Sequence, residues 1–111
     1  MFNTPQQVFD AMPAAFQPKK AGPVELALNF ALRGDLGGEW GVCIEEGACH
    51  ITEGQVQDPA ATIRAGAQDF VAIMNRDLNA VAAYMSGRVR VTGDVTAIMN
   101  LLSFFDFPDS G

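Results

Sequence analysis

The chain has 111 residues, of which 49% are hydrophobic, and a formal net charge of −6. This length predicts one domain over residues 1–111, with a core large enough to need no disulfides. The acidic balance argues against nucleic acid as a partner, because contacts to phosphate backbones need a surplus of Lys and Arg.

The N-terminal segment predicts a helix. Thr4 suits the N-cap, Pro5 suits the first helical position, and Gln7 completes a capping box. The apolar stripe that follows consists of Val8, Phe9, Met12 and Phe16. Pro13 interrupts this stripe and predicts a kink or a weakened second half. Residues 18–23, which contain two prolines and a glycine, are predicted to form a loop.

Three antiparallel strands are predicted next. Apolar and other side chains alternate over residues 24–33, which is the strongest strand pattern in the chain. Residues 40–44 alternate in the same way, and residues 48–53 form a third strand with a less defined facing pattern. Short turns at residues 34–38 and 46–47 join the three strands into a meander.

A strand, two helices and another strand are predicted between Pro59 and Asp94. Residues 61–65 have the period of two that a half-buried strand needs. The two helices carry apolar residues at helical spacing, namely Phe70, Val71, Ile73 and Met74 in the first and Leu78, Val81, Ala82 and Met85 in the second. Asp77 suits the N-cap of the second helix and Gly87 suits its end. Two valines then alternate with arginines in the closing strand.

A last helix begins after Asp94, which suits its N-cap, and ends at Pro108. Its main apolar stripe consists of Ile98, Leu101, Leu102 and Phe105, with Met99, Phe104 and Phe107 outside the stripe. The order of elements predicts a two-layer α+β sandwich, in which a five-stranded sheet is covered mainly on one face by about four helices.

The region from Pro59 to Asp94 resembles the core of the sterol carrier protein 2 family. The resemblance rests on the order and spacing of Pro59-Ala-Ala-Thr-Ile, Asp69-Phe70, Ala83-Tyr84-Met85-Ser86-Gly87 and Val89-Arg90-Val91-Thr92-Gly93-Asp94. At Asn75-Arg76, family members often have a glycine, and Asn tolerates left-handed backbone better than most residues. The resemblance implies that the fourth strand lies beside the first, in a mixed, mostly antiparallel sheet.

The resemblance also implies an apolar tunnel between sheet and helices that binds, and in some cases transfers, a fatty acid, fatty acyl-CoA, sterol or isoprenoid lipid. Burial of about 12 methylenes would supply roughly 10 kcal/mol before entropy costs. The residues predicted to line the tunnel are Trp40, Phe70, Ile73, Met74, Leu78, Val81, Tyr84, Met85, Ile98, Leu101, Leu102 and Phe105. Trp40 suits the core as well as the tunnel wall.

No catalytic constellation is evident, since the sequence has neither a Ser-His-Asp signature nor a glycine-rich phosphate loop. We therefore predict a domain that is not an enzyme and has no cofactor. The alternative hypothesis is an interaction or accessory module that assembles with a partner enzyme of lipid or quinone metabolism, or as a homodimer. An exposed face of Phe104, Phe105 and Phe107 would suit that role.

The arginines of the closing strand have two interpretations. Arg88 and Arg90 share one strand face, and Arg64 of the neighbouring strand can lie nearby. These side chains either bind an anionic head group at the tunnel mouth or occupy the solvent face of an edge strand, where charge prevents edge pairing. We favour the second interpretation.

The chain has two cysteines, Cys43 and Cys49, and one histidine, His50, which are too few for a disulfide framework or a typical metal site. We interpret the two cysteines as small buried thiols and predict no metal site. The sequence has no signal peptide, no peroxisomal tripeptide and no apolar run near the ~20 residues of a membrane span. We therefore expect a cytoplasmic protein without stable membrane insertion.

Overall fold

Five strands form one mixed sheet in the computed structural model, which describes residues 2–105. The strands are β1 (Leu26–Arg33), β2 (Gly38–Glu45), β3 (Ala48–Glu53), β4 (Ala61–Gly66) and β5 (Val89–Gly93). Their order across the sheet is β3-β2-β1-β4-β5. Only the central β1–β4 pair is parallel among these strand pairs. The predicted α+β class and the place of the fourth strand beside the first are confirmed.

Helices lie before, between and after these strands. They are α1 (Pro5–Ala15), α2 (Pro18–Ala21), α3 (Ala67–Met74), α4 (Ala80–Met85) and α5 (Val95–Ser103). The loop predicted over residues 18–23 is wrong, because α2 forms one turn there with Pro18 at its first position and Ala21 buried. No helix within residues 2–105 is long and apolar enough to cross a membrane.

The start of α1 follows the predicted cap with one difference. Thr4 Oγ1 accepts a hydrogen bond from the Gln7 N–H at 3.2 Å, as expected for an N-cap. The Gln7 side chain, however, accepts from the Asn3 N–H at 2.7 Å, so the predicted capping box is displaced by one residue. The helix continues through the exposed Pro13 and ends two residues later, at Ala15.

The cap predicted for α4 is also displaced. Asn79 caps this helix, since its Oδ1 accepts from the Ala82 N–H at 2.9 Å. Asp77 lies in the turn that follows α3, where its N–H donates to the Ala72 carbonyl at 2.8 Å. Gly87 ends α4 as predicted, with a φ of 85° that an L residue adopts only at a cost.

The turn after α3 places the left-handed residue one position later than the resemblance suggests. Asn75 has a φ of −83°, whereas Arg76 has a φ of 65°. Left-handed backbone costs a non-glycine residue roughly 1–2 kcal/mol. Asn75 instead bonds the backbone of Phe2 twice, with its Oδ1 accepting from N–H and its Nδ2 donating to C=O, both at 2.8 Å. The amide thus holds the N-terminal segment against α3.

An aromatic cluster fills the space between the sheet and the helices α1 and α3. Phe9 is fully buried at its centre. Its ring stacks on Trp40 with centroids 4.7 Å apart and on Phe70 at 5.3 Å. Phe30 meets both phenylalanine rings edge-on, at 5.4 Å and 5.6 Å. The two ring stacks connect α1 to both β2 and α3.

The two aromatic residues that follow α5 point inward. Phe104 and Phe105 are both buried, and the Phe105 ring lies 5.6 Å from that of Phe16. The exposed aromatic face proposed for a partner is therefore wrong for these two residues. Phe107 and Pro108 lie outside the described residues. Leu102 of the predicted inward stripe is exposed instead.

The opposite face of the sheet is crossed by the segment that joins β3 to β4. Asn29 is buried there, although it is polar, because its amide pairs with the backbone of Val56. Its Oδ1 accepts from the Val56 N–H at 2.7 Å and its Nδ2 donates to the Val56 carbonyl at 3.1 Å. Gly41 lies beside Asn29 on β2, where a Cβ would meet Val56 Cγ1 at 2.6 Å.

Candidate functional site

The structure divides the twelve predicted tunnel residues into three groups by exposure. Trp40, Phe70, Leu101 and Phe105 are buried; Ile73, Met74, Leu78 and Ile98 are half-buried; Val81, Tyr84, Met85 and Leu102 are exposed. Trp40 and Phe70 belong to the aromatic cluster around Phe9, so side chains occupy that part of the layer. The accessible candidates lie on α4 and α5, at the β5 end of the sheet.

Helix α4 exposes its larger apolar side chains. Val81 is 58% exposed, Tyr84 is 44% exposed and Met85 is 80% exposed, whereas the small Ala83 is buried. A surface helix ordinarily buries its large apolar residues and leaves polar ones outside. The reverse arrangement marks an apolar surface that is available to a ligand or a partner.

An open groove of about 660 Å³ lies between α4 and β5. It is lined by Tyr84, Met85, Gly87, Val89, Arg90, Val91 and Thr92. Val91 is paired with Ile63 of β4, which belongs to the core, so this side of β5 faces the helices. Since successive strand residues point to opposite faces, Arg90 and Thr92 point away from the helices. The groove therefore follows the free edge of β5 and has an apolar side and a polar side.

Arg90 lies on the polar side of the groove, and Arg64 of the neighbouring strand lies beside it, outside the groove lining. Arg64 of β4 is paired directly with Arg90 of β5 in the antiparallel register. The Arg64 Nη1 donates to Thr92 Oγ1 at 3.1 Å, which orients the guanidinium along the strand pair. The sequence suggested that these arginines are close, and the register establishes that they are opposite each other.

A second cavity, of about 560 Å³, lies at the carboxyl ends of the central strands β1 and β4. It is lined by Asn3, Pro5, Arg33, Gly34, Asp35, Leu36, Gly66, Ala67, Gln68, Asp69 and Val71. None of the predicted site residues belongs to it. Sequence reasoning missed it because its walls come from three separate segments: the start of α1, the β1–β2 turn and the start of α3. No local motif connects those segments.

The two cysteines lie on adjacent strands but face opposite sides of the sheet. Cys43 is paired with His50, whereas Cys49 is paired with Ile44. Cys49 is buried and Cys43 is half-buried, so the prediction of two buried thiols holds fully only for Cys49. Within residues 2–105, no three or more His, Cys, Asp or Glu side chains form a group that could hold a metal ion.

The thiols are expected to differ in their rates of alkylation. Burial, followed by the nearby Cys43, raises the pKa of Cys49 to about 11. Burial, Glu45 and Glu25 raise the pKa of Cys43 as well, but its side chain is more accessible. Because the thiolate reacts, iodoacetamide at pH 8 should modify Cys43 first. The rate at Cys49 should rise about tenfold per pH unit up to pH 10, as followed by peptide mass spectrometry. Faster modification of Cys49 at pH 8 would contradict this order.

Comparison with protein families gives one match over nearly the whole chain. The sequence profile of the family described as alkyl sulfatase C-terminal matches residues 2–111. No curated protein is significantly similar to the chain in sequence.

Solved structures extend the comparison. The stereoselective inverting sec-alkylsulfatase Pisa1 from Pseudomonas sp. matches with a TM-score of 0.84 and 20% identity, over 97% of this chain and 17% of that chain. Palmitated SCP2L2 from Aedes aegypti matches with a TM-score of 0.75 and 19% identity, over 91% of this chain and 93% of that chain. The ubiquinone synthesis protein UbiJ-SCP2 matches with a TM-score of 0.67 and 14% identity, over 89% of this chain and 85% of that chain. These matches confirm the sterol carrier protein 2 fold, and the chain spans only 17% of the sulfatase.

Proposed function

The chain belongs to the alkyl sulfatase C-terminal family, and from this premise we propose that it is a non-catalytic domain that binds the apolar chain of a lipid or fatty-acyl ligand. The observation that carries this proposal is the outward face of α4, where Val81, Tyr84 and Met85 are exposed. Such an apolar face lowers its free energy when an apolar ligand covers it.

We place the ligand chain in the groove between α4 and β5. Tyr84 and Met85 form one wall of this groove, and Val89 and Val91 form the other. The half-buried and buried candidates do not line this groove, so the proposal places the ligand on Tyr84 and Met85 among the predicted residues. Each methylene that the groove removes from water would contribute about 0.8 kcal/mol, so chain length would decide affinity more than any polar contact.

The first test is native mass spectrometry on freshly purified protein, followed by organic extraction of whatever copurifies. We expect a bound fatty acid, acyl ester or isoprenoid. A clean apo mass, together with no uptake of added fatty acid or fatty acyl-CoA, would contradict lipid binding. The extraction also gives the ligand class directly.

Met85→Arg is expected to weaken fatty-acid binding by about tenfold or more, because it places a charge where the chain would be covered. The tunnel prediction placed Met85 in the interior, but its 80% exposure means that the variant can fold. Titration calorimetry with a medium-chain fatty acid would measure the loss. Leu36→Arg is the matched control, since Leu36 is 56% exposed in the β1–β2 turn. Equal affinity of the two variants would remove Met85 from the site.

Leu101→Arg is not a useful binding test. Leu101 is fully buried, so an arginine there would bury an unpaired charge and disrupt the fold. Loss of binding in that variant would report unfolding rather than the position of the ligand.

The accessory-module hypothesis is supported by a separate observation. The family profile and the Pisa1 match both relate this chain to part of a sulfatase. In that arrangement the exposed face of α4 would contact a partner enzyme or a second copy of this chain. Sedimentation of the purified protein distinguishes the two functions: a stable dimer that takes up no fatty acid favours the interaction module.

A further inference from the structure

The open face of the sheet, opposite the helices, carries exposed arginines in one half and exposed glutamates in the other. We propose that this face is an interface and that its occupant is a second copy of the chain, with the arginines of each copy against the glutamates of the other. The inference goes beyond the proposed function, because it concerns the face of the sheet that α4 does not cover.

Three arginines occupy the basic half of the open face. Asn29 faces the segment that crosses this face, and Arg33 lies four residues later on β1, so alternation places both on the same side. Arg64 is paired with Ala31 of β1, and Arg90 is paired with Arg64, so both arginines share that side. All three arginine side chains are exposed.

Two exposed glutamates occupy the acidic half. Glu45 lies four residues after Gly41, the partner of Asn29, and therefore belongs to the open face. Glu25 precedes β1 by one residue and reaches the same face by alternation. Burial, then Glu45 and then Glu25, raises the pKa of the Cys43 thiol, so both carboxylates lie near this side chain.

The two halves are related in a way that suits a two-fold axis. The segment that joins β3 to β4, residues 54–60, crosses between them, and Val56 meets Asn29 at the middle of β1. A two-fold interface uses the same surface of both copies, so each contact occurs twice. A half-turn about an axis along the crossing segment exchanges the two ends of β1. Each basic half then lies against an acidic half.

Protection of a sheet edge does not account for the basic half. Charge on a free edge prevents pairing with another sheet, which fits Arg90 on β5, but Arg33 and Arg64 lie on inner strands. The part of the chain that the structure describes places no carboxylate within ion-pair distance of these arginines. Glu39 shares the row of Arg64 but accepts a hydrogen bond from Gln55 at 3.2 Å. Since arginine is enriched at protein interfaces, a partner explains the basic half better.

A second copy is the occupant that uses both halves. An acidic partner protein would fit the arginines and leave the glutamates without a role. The net charge of −6 opposes association of two copies. At about 0.1 M salt, however, the Debye length of about 10 Å screens distant charges and leaves pairs in contact to interact.

The size of the open face predicts a weak dimer. Five strands about 4.8 Å apart and a central strand of eight residues give a face of roughly 19 Å by 26 Å. Two such faces would bury about 1,000 Å², whereas stable interfaces bury roughly 1,200–2,000 Å². We therefore expect association that depends on the charge pairs and weakens as ionic strength rises.

The test is sedimentation velocity of the full chain over a range of protein concentrations, at about 0.1 M and about 0.5 M NaCl. The wild type should dimerise at the lower salt concentration and dissociate at the higher. Arg33→Glu/Arg64→Glu and Glu25→Arg/Glu45→Arg should each raise the dissociation constant at least about tenfold, because like charges would then meet. An equimolar mixture of these two variants should dimerise again, since each copy then meets the opposite charge.

Two controls separate this interface from other causes. Lys19→Glu/Lys20→Glu changes the net charge by the same amount as the arginine variant, but on α2, and should dimerise like the wild type. Met85→Arg changes the exposed face of α4 and should also dimerise. The four residues changed in the charge-reversal variants do not line the groove between α4 and β5, so dimerisation and fatty-acid binding can fail independently.

Contrary results are specific. A wild-type chain that stays monomeric at every concentration overturns the inference. Dissociation by Met85→Arg but not by Arg33→Glu/Arg64→Glu places the interface on α4 and overturns it as well. Equal dissociation in the lysine variant attributes the effect to net charge and overturns it. Two folded charge-reversal variants that stay monomeric when mixed overturn the pairing of arginines with glutamates.

Discussion

Replacing Phe9 with alanine is expected to lower the free energy of unfolding by about 3–5 kcal/mol. Phe9 is fully buried, and its ring is the one that contacts both Trp40 and Phe70. The substitution removes buried apolar surface and leaves a cavity between the rings of Trp40 and Phe70. These rings belong to different elements, β2 and α3, so they cannot both move in to fill it. Urea denaturation followed by circular dichroism measures the change.

Two variants calibrate the Phe9 result. Met85→Ala should change stability by no more than about 0.5 kcal/mol, because Met85 is mostly exposed. Phe9→Leu should be less destabilising than Phe9→Ala, because it keeps most of the apolar volume. A loss below about 1.5 kcal/mol in Phe9→Ala would show that the aromatic cluster does not carry the stability assigned to it.

Asn29→Ala is expected to cost about 2–4 kcal/mol, since the Val56 N–H and carbonyl would both lose their partner. The substitution detaches the β3–β4 segment from the open face of the sheet. In addition to the loss of global stability, hydrogen exchange of the Val56 amide should become faster than in the wild type. Denaturant titration and amide exchange by NMR measure the two effects.

The control for Asn29 is Asn100→Ala on the exposed side of α5. That substitution should leave both the free energy of unfolding and the exchange of the Val56 amide nearly unchanged. If Asn29→Ala and Asn100→Ala had the same small effect, the pairing of Asn29 with Val56 would contribute little to the fold.

Alternation and capping predict much of this fold because they depend on neighbouring residues. The strand patterns locate all five strands, although β1 begins at Leu26 and not at Val24. Thr4 and Asp94 cap their helices as predicted, the latter accepting from the Thr96 N–H at 2.9 Å. The two errors near the end of α3 are small shifts along the chain. The cap of α4 is Asn79 and not Asp77, and the left-handed residue is Arg76 and not Asn75. Both positions depend on where α3 ends, which the local pattern does not define.

The candidate site was less predictable because helical spacing shows which residues share a face of a helix, but not whether that face points to the core or to solvent. Leu78, Val81 and Met85 recur at intervals that indicate one apolar face. The structure buries Ala83 instead and leaves Val81 and Met85 exposed. Which face of α4 turns inward depends on the space that α3 and β5 leave beneath it, and no local pattern encodes that space.

The contact among Asn29, Gly41 and Val56 has a consequence for how this sequence can diverge. Val56 Cγ1 occupies the volume that a side chain at position 41 would need, and the amide of Asn29 matches the backbone of one particular residue in the crossing segment. Substitutions at these positions are therefore coupled and not additive. A larger residue at 41 becomes tolerable only with a smaller one at 56, so the three positions are expected to covary as one unit among relatives that keep this crossing.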